Sequence, residues 1–539
     1  MIKFPNGAVL AENRSFDYIK TLGIGFSLMA LSILIGLFFS SDFTLTADNI
    51  RSVVSSEIQQ ESVLSMIPQE KLGEPLGKID FLSVVNNSIN SANESFRAKQ
   101  EWDNVIYGES DKVMSLARMG ISSPIQKWGT AFFWLTFMLG FAGTLIVAFA
   151  KLKSKHAGIN NDNIFFKGMG TRGFWAILLS LFLIAFYVLL YWYPAYIIEW
   201  IILVDPIALV LSGGLASQWF FYGFVYTLAI VGMGIKFMVK YRHNKYQLFR
   251  TFSVMFFQTA FAFAIPNILG ALNMPAVDLK NIWPLDYSFF FEYRLDALID
   301  SGMIGYFMMF WGFALMIIGV PLFTFFFGKR WYCSWVCGCG GLAETAGDDF
   351  RHLSDKSLNF WKVERILIHS VLVFSVVMTV GVVYTYLTNS STLFGINTYT
   401  IRSVYGFGVG SVFAGVIGTG FYPVLGNRSW CRMGCPLAAY LGLIQRLRSK
   451  FRITTNGAQC ISCGNCSTYC EMGIDVKWYA QRQQPIVRSS CVGCGICAAV
   501  CPRGVLSLEV KDVNGRLDQY TKPEEFKMVE ILKKSGGEF

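Results

Sequence analysis

Charge is scarce in this chain: Asp, Glu, Lys and Arg make up 15% of its 539 residues, against a hydrophobic share of 53%. Soluble domains carry about 25% charged residues, so a water-facing surface over most of this chain is excluded, and much of it must face lipid. Histidine is also rare. Only His156, His243, His352 and His369 occur, and His369 alone falls within an apolar run, which argues against a bis-histidine haem inside the chain. Cysteine is absent before Cys333; all thirteen lie between Cys333 and Cys435 or between Cys460 and Cys501. The polar segment 41–126 therefore cannot be a disulfide-stapled domain, and it lacks any threonine motif for covalent flavin attachment. The GMGTRG stretch near Gly168 has no flanking strand and is not a nucleotide loop. The net charge of +10 does not indicate a nucleic-acid partner, because the Lys and Arg residues gather beside apolar runs.

Those runs are long. The first, TLGIGFSLMALSILIGLFFS after Lys20, follows a leader with Lys3 and Arg14; no small-x-small cleavage site follows it, so it reads as a retained anchor. Further spans are expected near Trp128–Ala150, Gly173–Tyr193, Trp219–Val239, Phe252–Leu272, Met303–Phe327, Ile366–Leu387 and Val404–Leu425, about eight in all. The basic stretches KLKSKH, KYRHNK and GKR, with Arg351, Lys362, Arg428, Arg432, Arg446, Arg448 and Lys450, then fall on one side. By the positive-inside rule that side is the cytoplasm, which makes this a multi-pass inner-membrane protein in contact with lipid, with both termini cytoplasmic. Pro194–Gly214 is apolar but broken by Glu199 and Asp205-Pro206, and reads as re-entrant or interfacial. Its two carboxylates are either solvated helix ends or proton acceptors for quinone chemistry.

Near the end, CISCGNCSTYC supplies Cys460, Cys463, Cys466 and Cys470, and CVGCGICAAVCP supplies Cys491, Cys494, Cys497 and Cys501. Each half has the Cys-x2-Cys-x2-Cys-x3-Cys spacing of a bacterial two-cluster ferredoxin, in which the fourth Cys of each run ligates the other cluster. Two [4Fe–4S] clusters are expected, one on Cys460, Cys463, Cys466 and Cys501 and one on Cys491, Cys494, Cys497 and Cys470. Structural zinc has no use for a third Cys two residues later, repeated in both halves. Glu471 stands where the second run has Pro502, and this is expected to alter one cluster's potential without removing a ligand. The fold class that follows is mainly α: a polytopic helical membrane protein with a small α+β two-cluster domain. Its expected divisions are a leader and first span (1–40), an extracytoplasmic segment (41–126), spans two to five (127–300), spans six to eight (301–450), the two-cluster domain (451–510) and a tail (511–539).

Two further motifs follow spans directly, GKRWYCSWVCGCGG and GNRSWCRMGCP. They form an internal repeat, placing Cys333 and Cys337 at one cytoplasmic helix end and Cys431 and Cys435 at another. On these residues the chain resembles the polyferredoxin-type membrane iron–sulfur proteins, the NapH, NosR and CcoG type, from Gly302 to Pro502. That resemblance implies paired Cys-x3-Cys-Pro motifs beside helices and a closing two-cluster domain. Here Gly338 replaces the first Pro, and Cys339 is additional. Three readings of the quartet stay open: a further metal or iron–sulfur site, a redox-active dithiol, or structural thiols. Arg330, Arg428 and Arg432 nearby are expected to favour thiolates.

The expectation for function is a membrane-bound electron carrier linking a soluble cytoplasmic donor or the quinone pool to a respiratory partner subunit. The alternative is a redox accessory protein for assembly of a metalloenzyme such as a cytochrome oxidase or copper enzyme. His369 is either a quinone ligand or a buried hydrogen-bonded residue.

Overall fold

The computed structural model describes residues 14–153, 173–393 and 395–510. Lys3, the end of the KLKSKH loop with His156, the GMGTRG stretch and the 511–539 tail lie outside these residues. Among the described residues eight helices are long and apolar enough to cross a membrane: Tyr18–Phe39, Pro124–Ala150, Phe174–Trp192, Gln218–Lys240, Lys245–Ala271, Met303–Phe327, Leu358–Leu387 and Thr398–Gly420. Each reaches the length needed to traverse a hydrocarbon layer of about 30 Å. The eighth starts earlier than the apolar run alone indicates, because the Asn397 side chain caps it by accepting from Tyr399 N at 2.8 Å.

The chain divides into two compact units. One takes in Met1–His156, Ala185–Val239 and Gly270–Leu272. Its polar segment is built on a three-stranded antiparallel sheet with Asp42–Thr44 at the centre, Phe43 pairing with both Leu76 and Ile121. The helix Lys78–Ala98 covers it with Phe81, Val85, Ile89, Ala92 and Phe96, an apolar stripe at helical spacing. Pro194–Leu203 and Asp205–Ser212 form a pair of helices bent by 74°. Neither carboxylate there is a solvated helix end. Glu199 is fully buried with its Oε2 2.9 Å from Lys78 Nζ, and Asp205 receives both oxygens' contacts from Arg118 at 3.1 Å. The partners come from the polar segment, so the ion pairs fasten it to the bend.

The other unit takes in Ala157–Ile184, Lys240–Leu269 and Asn273–Phe539. Three of its spans contain π-helical turns, at Phe257–Ala264, Leu315–Gly319 and Gly406–Ile417. Leu315, Met316, Val409 and Phe413, from the second and third of these, pack against a core that holds Cys333, Cys337, Cys431 and Cys435. Wide turns of this kind re-aim side chains locally. The same core continues into the C-terminal lobe, whose strands Phe451–Thr455 and Leu506–Val510 pair antiparallel, Phe451 opposite Val510.

Candidate cysteine sites

In the C-terminal lobe the two Cys-rich runs fold alike. Each has two residues in the left-handed region, one before and one after its second Cys: Ser462 (φ 58°) and Gly464 (80°) in the first run, Gly493 (63°) and Gly495 (76°) in the second. This alternation wraps the backbone around an enclosed space and starts a short helix that carries the third Cys, Asn465–Thr468 or Ile496–Ala499. At Gly495 a side chain is also sterically barred, since a Cβ would come within 2.8 Å of the Tyr246 ring.

Two pockets result. One, with about 360 Å³ of unfilled space, is lined by Cys460, Cys463, Cys466 and Cys501; the other, about 370 Å³, by Cys470, Cys491, Cys494 and Cys497. They differ in setting. Cys463 is exposed, whereas Cys491 and Cys497 are buried. The loop of the buried pocket is docked on the membrane part of its unit: Tyr246 Oη donates to Gly493 O (2.8 Å), Gln247 Nε2 to Cys494 O (2.9 Å), Ser334 Oγ to Val492 O (2.8 Å) and Gln445 Nε2 to Cys491 O (2.8 Å).

The membrane-edge motifs make a third pocket. Gly328 (φ 67°) ends the last helix of the sixth span and Gly426 (φ 92°) ends the short helix Tyr422–Leu425 that follows the eighth; each stands five residues before a Cys, and the chain turns there into short helices Arg330–Cys333 and Ser429–Met433. Cys337 and Cys435 then occupy the N-cap positions of Gly338–Thr345 and Pro436–Arg448, where the helix dipole favours negative charge. This pocket, about 280 Å³ of unfilled space counted out to its opening, is lined by all four cysteines with Cys339, and by Tyr332 and Trp430 at matching positions of the repeat.

The electrostatics differ from the expectation that nearby arginines promote thiolates. Burial pushes Cys333 up to about 12 and raises Cys431 and Cys435. Cys337 alone is lowered, to about 6, by a hydrogen bond from Cys339 that outweighs burial. The arginines are committed elsewhere: Arg432 pairs with Glu364, and Arg330 lies 4.6 Å from the Phe451 ring centroid. Only Arg428 reaches a quartet sulfur, Cys431 Sγ at 3.6 Å, and it also pairs with Glu344 and Glu471. Four buried thiolates therefore need a bound cation to be stable.

Sulfur spacing bears on which cation. Among the described residues the sole group of three ligand-type atoms within 4.8 Å of one another is Glu344, Glu471 and Cys494, so no three sulfurs are that close. Tetrahedral zinc with Zn–S near 2.3 Å would need sulfurs about 3.8 Å apart. No three sulfurs among the described residues meet that requirement in any of the three pockets. The Glu344, Glu471 and Cys494 group is an ion-pair knot instead, since Arg250 and Arg428 bind Glu344 while Arg351 and Arg428 bind Glu471. Burial works against the Glu471 charge, but Arg351 and Arg428 hold its carboxyl down to about 2. This knot was invisible in the sequence beyond Glu471 itself, because its members, from Arg250 to Cys494, are scattered along the chain.

Eight candidate spans and the Cys-lined pockets describe a polytopic, mainly helical membrane protein, and its residues 308–357 and 407–502 are similar to iron–sulfur binding domains. Residues 308–357 and 407–454 match the family described as "4Fe-4S binding domain", a match that spans both membrane-edge motifs, and residues 452–502 match "4Fe-4S dicluster domain". The chain is 26% identical over 166 residues to "Putative electron transport protein YccM" of Escherichia coli (strain K12). That similarity covers 28% of this chain and 43% of the relative, so the chain spans less than half the length of the protein it matches. No solved structure matches it.

Proposed function

We propose that this chain is a membrane-bound electron-transfer protein with three four-iron sites, held by Cys460, Cys463, Cys466 and Cys501, by Cys470, Cys491, Cys494 and Cys497, and by Cys333, Cys337, Cys431 and Cys435. A [4Fe–4S] cluster bound in such a pocket supplies a one-electron redox couple. The carrying observation is the gradient of burial: an exposed pocket, a buried one docked on the membrane part, and a quartet at the span ends, all within one continuous core. Arg428 stands between the last two, bound to Glu471 beside Cys470 and to the Cys431 sulfur and the Cys333 carbonyl. The basic residues Lys329, Arg330, Arg446 and Arg448 by the quartet support a cytoplasmic position for this end of the spans. The exposed pocket there meets a soluble redox partner, and the quartet serves the membrane side, a quinone or a respiratory partner subunit. An anaerobic redox titration followed by electron paramagnetic resonance tests this. Three separate one-electron signals are expected; two signals at full reduction would remove the membrane-edge site from the scheme.

A further inference from the structure

Two of the residues lining the quartet pocket carry donors with nothing to bond. Tyr332 Oη and Trp430 Nε1 are both buried, and neither has a hydrogen-bond partner among the described residues. Buried polar groups are ordinarily satisfied, and the tryptophans beside them follow that rule. Trp331 Nε1 donates to Thr324 Oγ1 (3.1 Å) and Trp335 Nε1 to Tyr246 Oη (3.3 Å). The two exceptions stand at matching places, each immediately before the first Cys of its half of the repeat. The benzene edge of Trp430, Cε3 and Cζ3, lies against Gly434, where an added Cβ would come within 2.5 Å, so the indole N–H is on the other edge. No residue lining either pocket of the C-terminal lobe has such an orphaned side-chain donor among the described residues.

We infer that Tyr332 and Trp430 donate hydrogen bonds to the inorganic sulfide of a four-iron cluster held by the quartet, and that this pair raises the potential of that site. The inference rests on the three-site reading above and assigns two positioning residues to its membrane-edge site. The chemistry of the lining carries it. Apart from these two residues the pocket is lined by Leu285, Leu437, Ala438 and cysteines, so no side chain there offers an oxygen or nitrogen acceptor to the two donors. Three of the quartet sulfurs have donors of their own: Arg428 Nη1 lies 3.6 Å from Cys431 Sγ, Ala438 N lies 3.4 Å from Cys435 Sγ, and the Gly340 amide bonds Cys337. Tyr332 and Trp430 are the donors left for sulfide.

A trapped water is a poorer partner for them. A buried water makes two to four hydrogen bonds, and one placed between these residues would accept from both while finding no oxygen or nitrogen in the lining to which it could donate. Hydrogen bonds to the sulfurs are among the factors that set an iron–sulfur potential. One-electron reduction adds negative charge, so a donor holds the reduced form more strongly than the oxidised one. Both groups stay protonated throughout, and the electron comes from the redox partner already proposed.

The test uses the full chain, purified anaerobically in detergent, in a redox titration followed by electron paramagnetic resonance. Tyr332→Phe and Trp430→Phe each remove a donor and keep an aromatic ring. At the midpoint of the parent's third signal, the ratio of reduced to oxidised site should fall at least about threefold in each variant and further in the double variant. Iron content and the other two midpoints should not change. A second readout needs no variant to fold: in parent protein made with the heavy nitrogen isotope at the tryptophan indole position, electron–nuclear double resonance should show that nucleus coupled to the third signal. The coupling should vanish in Trp430→Phe. A third midpoint unmoved in both variants, a shift shared by all three signals, or no indole nitrogen coupling in the parent overturns the inference. Three signals with the third unmoved leave the three-site reading intact, whereas a parent with two signals removes that reading and this inference together.

Discussion

A chain carrying Cys431→Ser and Cys435→Ser is expected to keep both paramagnetic signals of the C-terminal lobe and to lose the third completely. The two sulfurs come from one half of the internal repeat and face Cys333 and Cys337 across the enclosed pocket. Removing them halves the ligand set of the quartet, while no residue lining the other two pockets is touched. The stability of the membrane-edge region should fall with the signal. Metal binding contributes folding free energy, and two serine hydroxyls left in an enclosed apolar site cost about 1–3 kcal/mol each if unsatisfied. Cys339→Ala is the matched control. Cys339 lies off the repeat, with no counterpart two residues after Cys435, and acts on Cys337 by donating a hydrogen bond. Its loss should leave the third signal in place. A third signal that survives the double variant and vanishes in Cys339→Ala would mean the wrong sulfurs have been assigned.

Arg428→Met and Glu471→Gln should shift the potential of the site at Cys470, Cys491, Cys494 and Cys497 in opposite directions. Both side chains are fully buried, and Arg428 Nε lies 3.1 Å from Glu471 Oε1, close enough for ion pairing though not aligned as a hydrogen bond. Reduction adds negative charge near them. Loss of the guanidinium therefore disfavours the reduced state and lowers the potential, whereas loss of the carboxylate charge raises it. In a partly screened interior each change is on the order of 50 mV. Neither change strands a buried partner: Arg428→Met leaves Glu344 with Arg250 and Glu471 with Arg351, and Glu471→Gln leaves Arg351 with Asp348 and Arg428 with Glu344, so both variants should fold. Shifts of the same sign would show that structural loosening, not charge, sets the potential.

What the sequence made legible was local. The eight spans, the two Cys-rich runs and the membrane-edge repeat are each carried by contiguous residues, since apolar length and ligand spacing act within one segment. The structure adds the reason for the shared glycine: Gly328 and Gly426 sit five residues before their cysteines because a positive φ there ends one helix and starts the short Cys-bearing one. Long-range pairing was not legible. Glu199 read as either a solvated helix end or a proton acceptor because Lys78, 121 residues earlier, carries no local mark of its partner. The arginines near the quartet were credited to the thiols, since nothing local shows that Glu344, Glu364 and Glu471 claim them first.

The central claim is that one chain holds three four-iron sites, two in the C-terminal lobe and one across the membrane-edge repeat. The direct measurement is iron and acid-labile sulfide per chain, on protein purified without oxygen. Three cubane sites predict about twelve of each. A reproducible value of about eight, in protein whose C-terminal signals are at full intensity, would contradict the account and return the quartet to a role without iron.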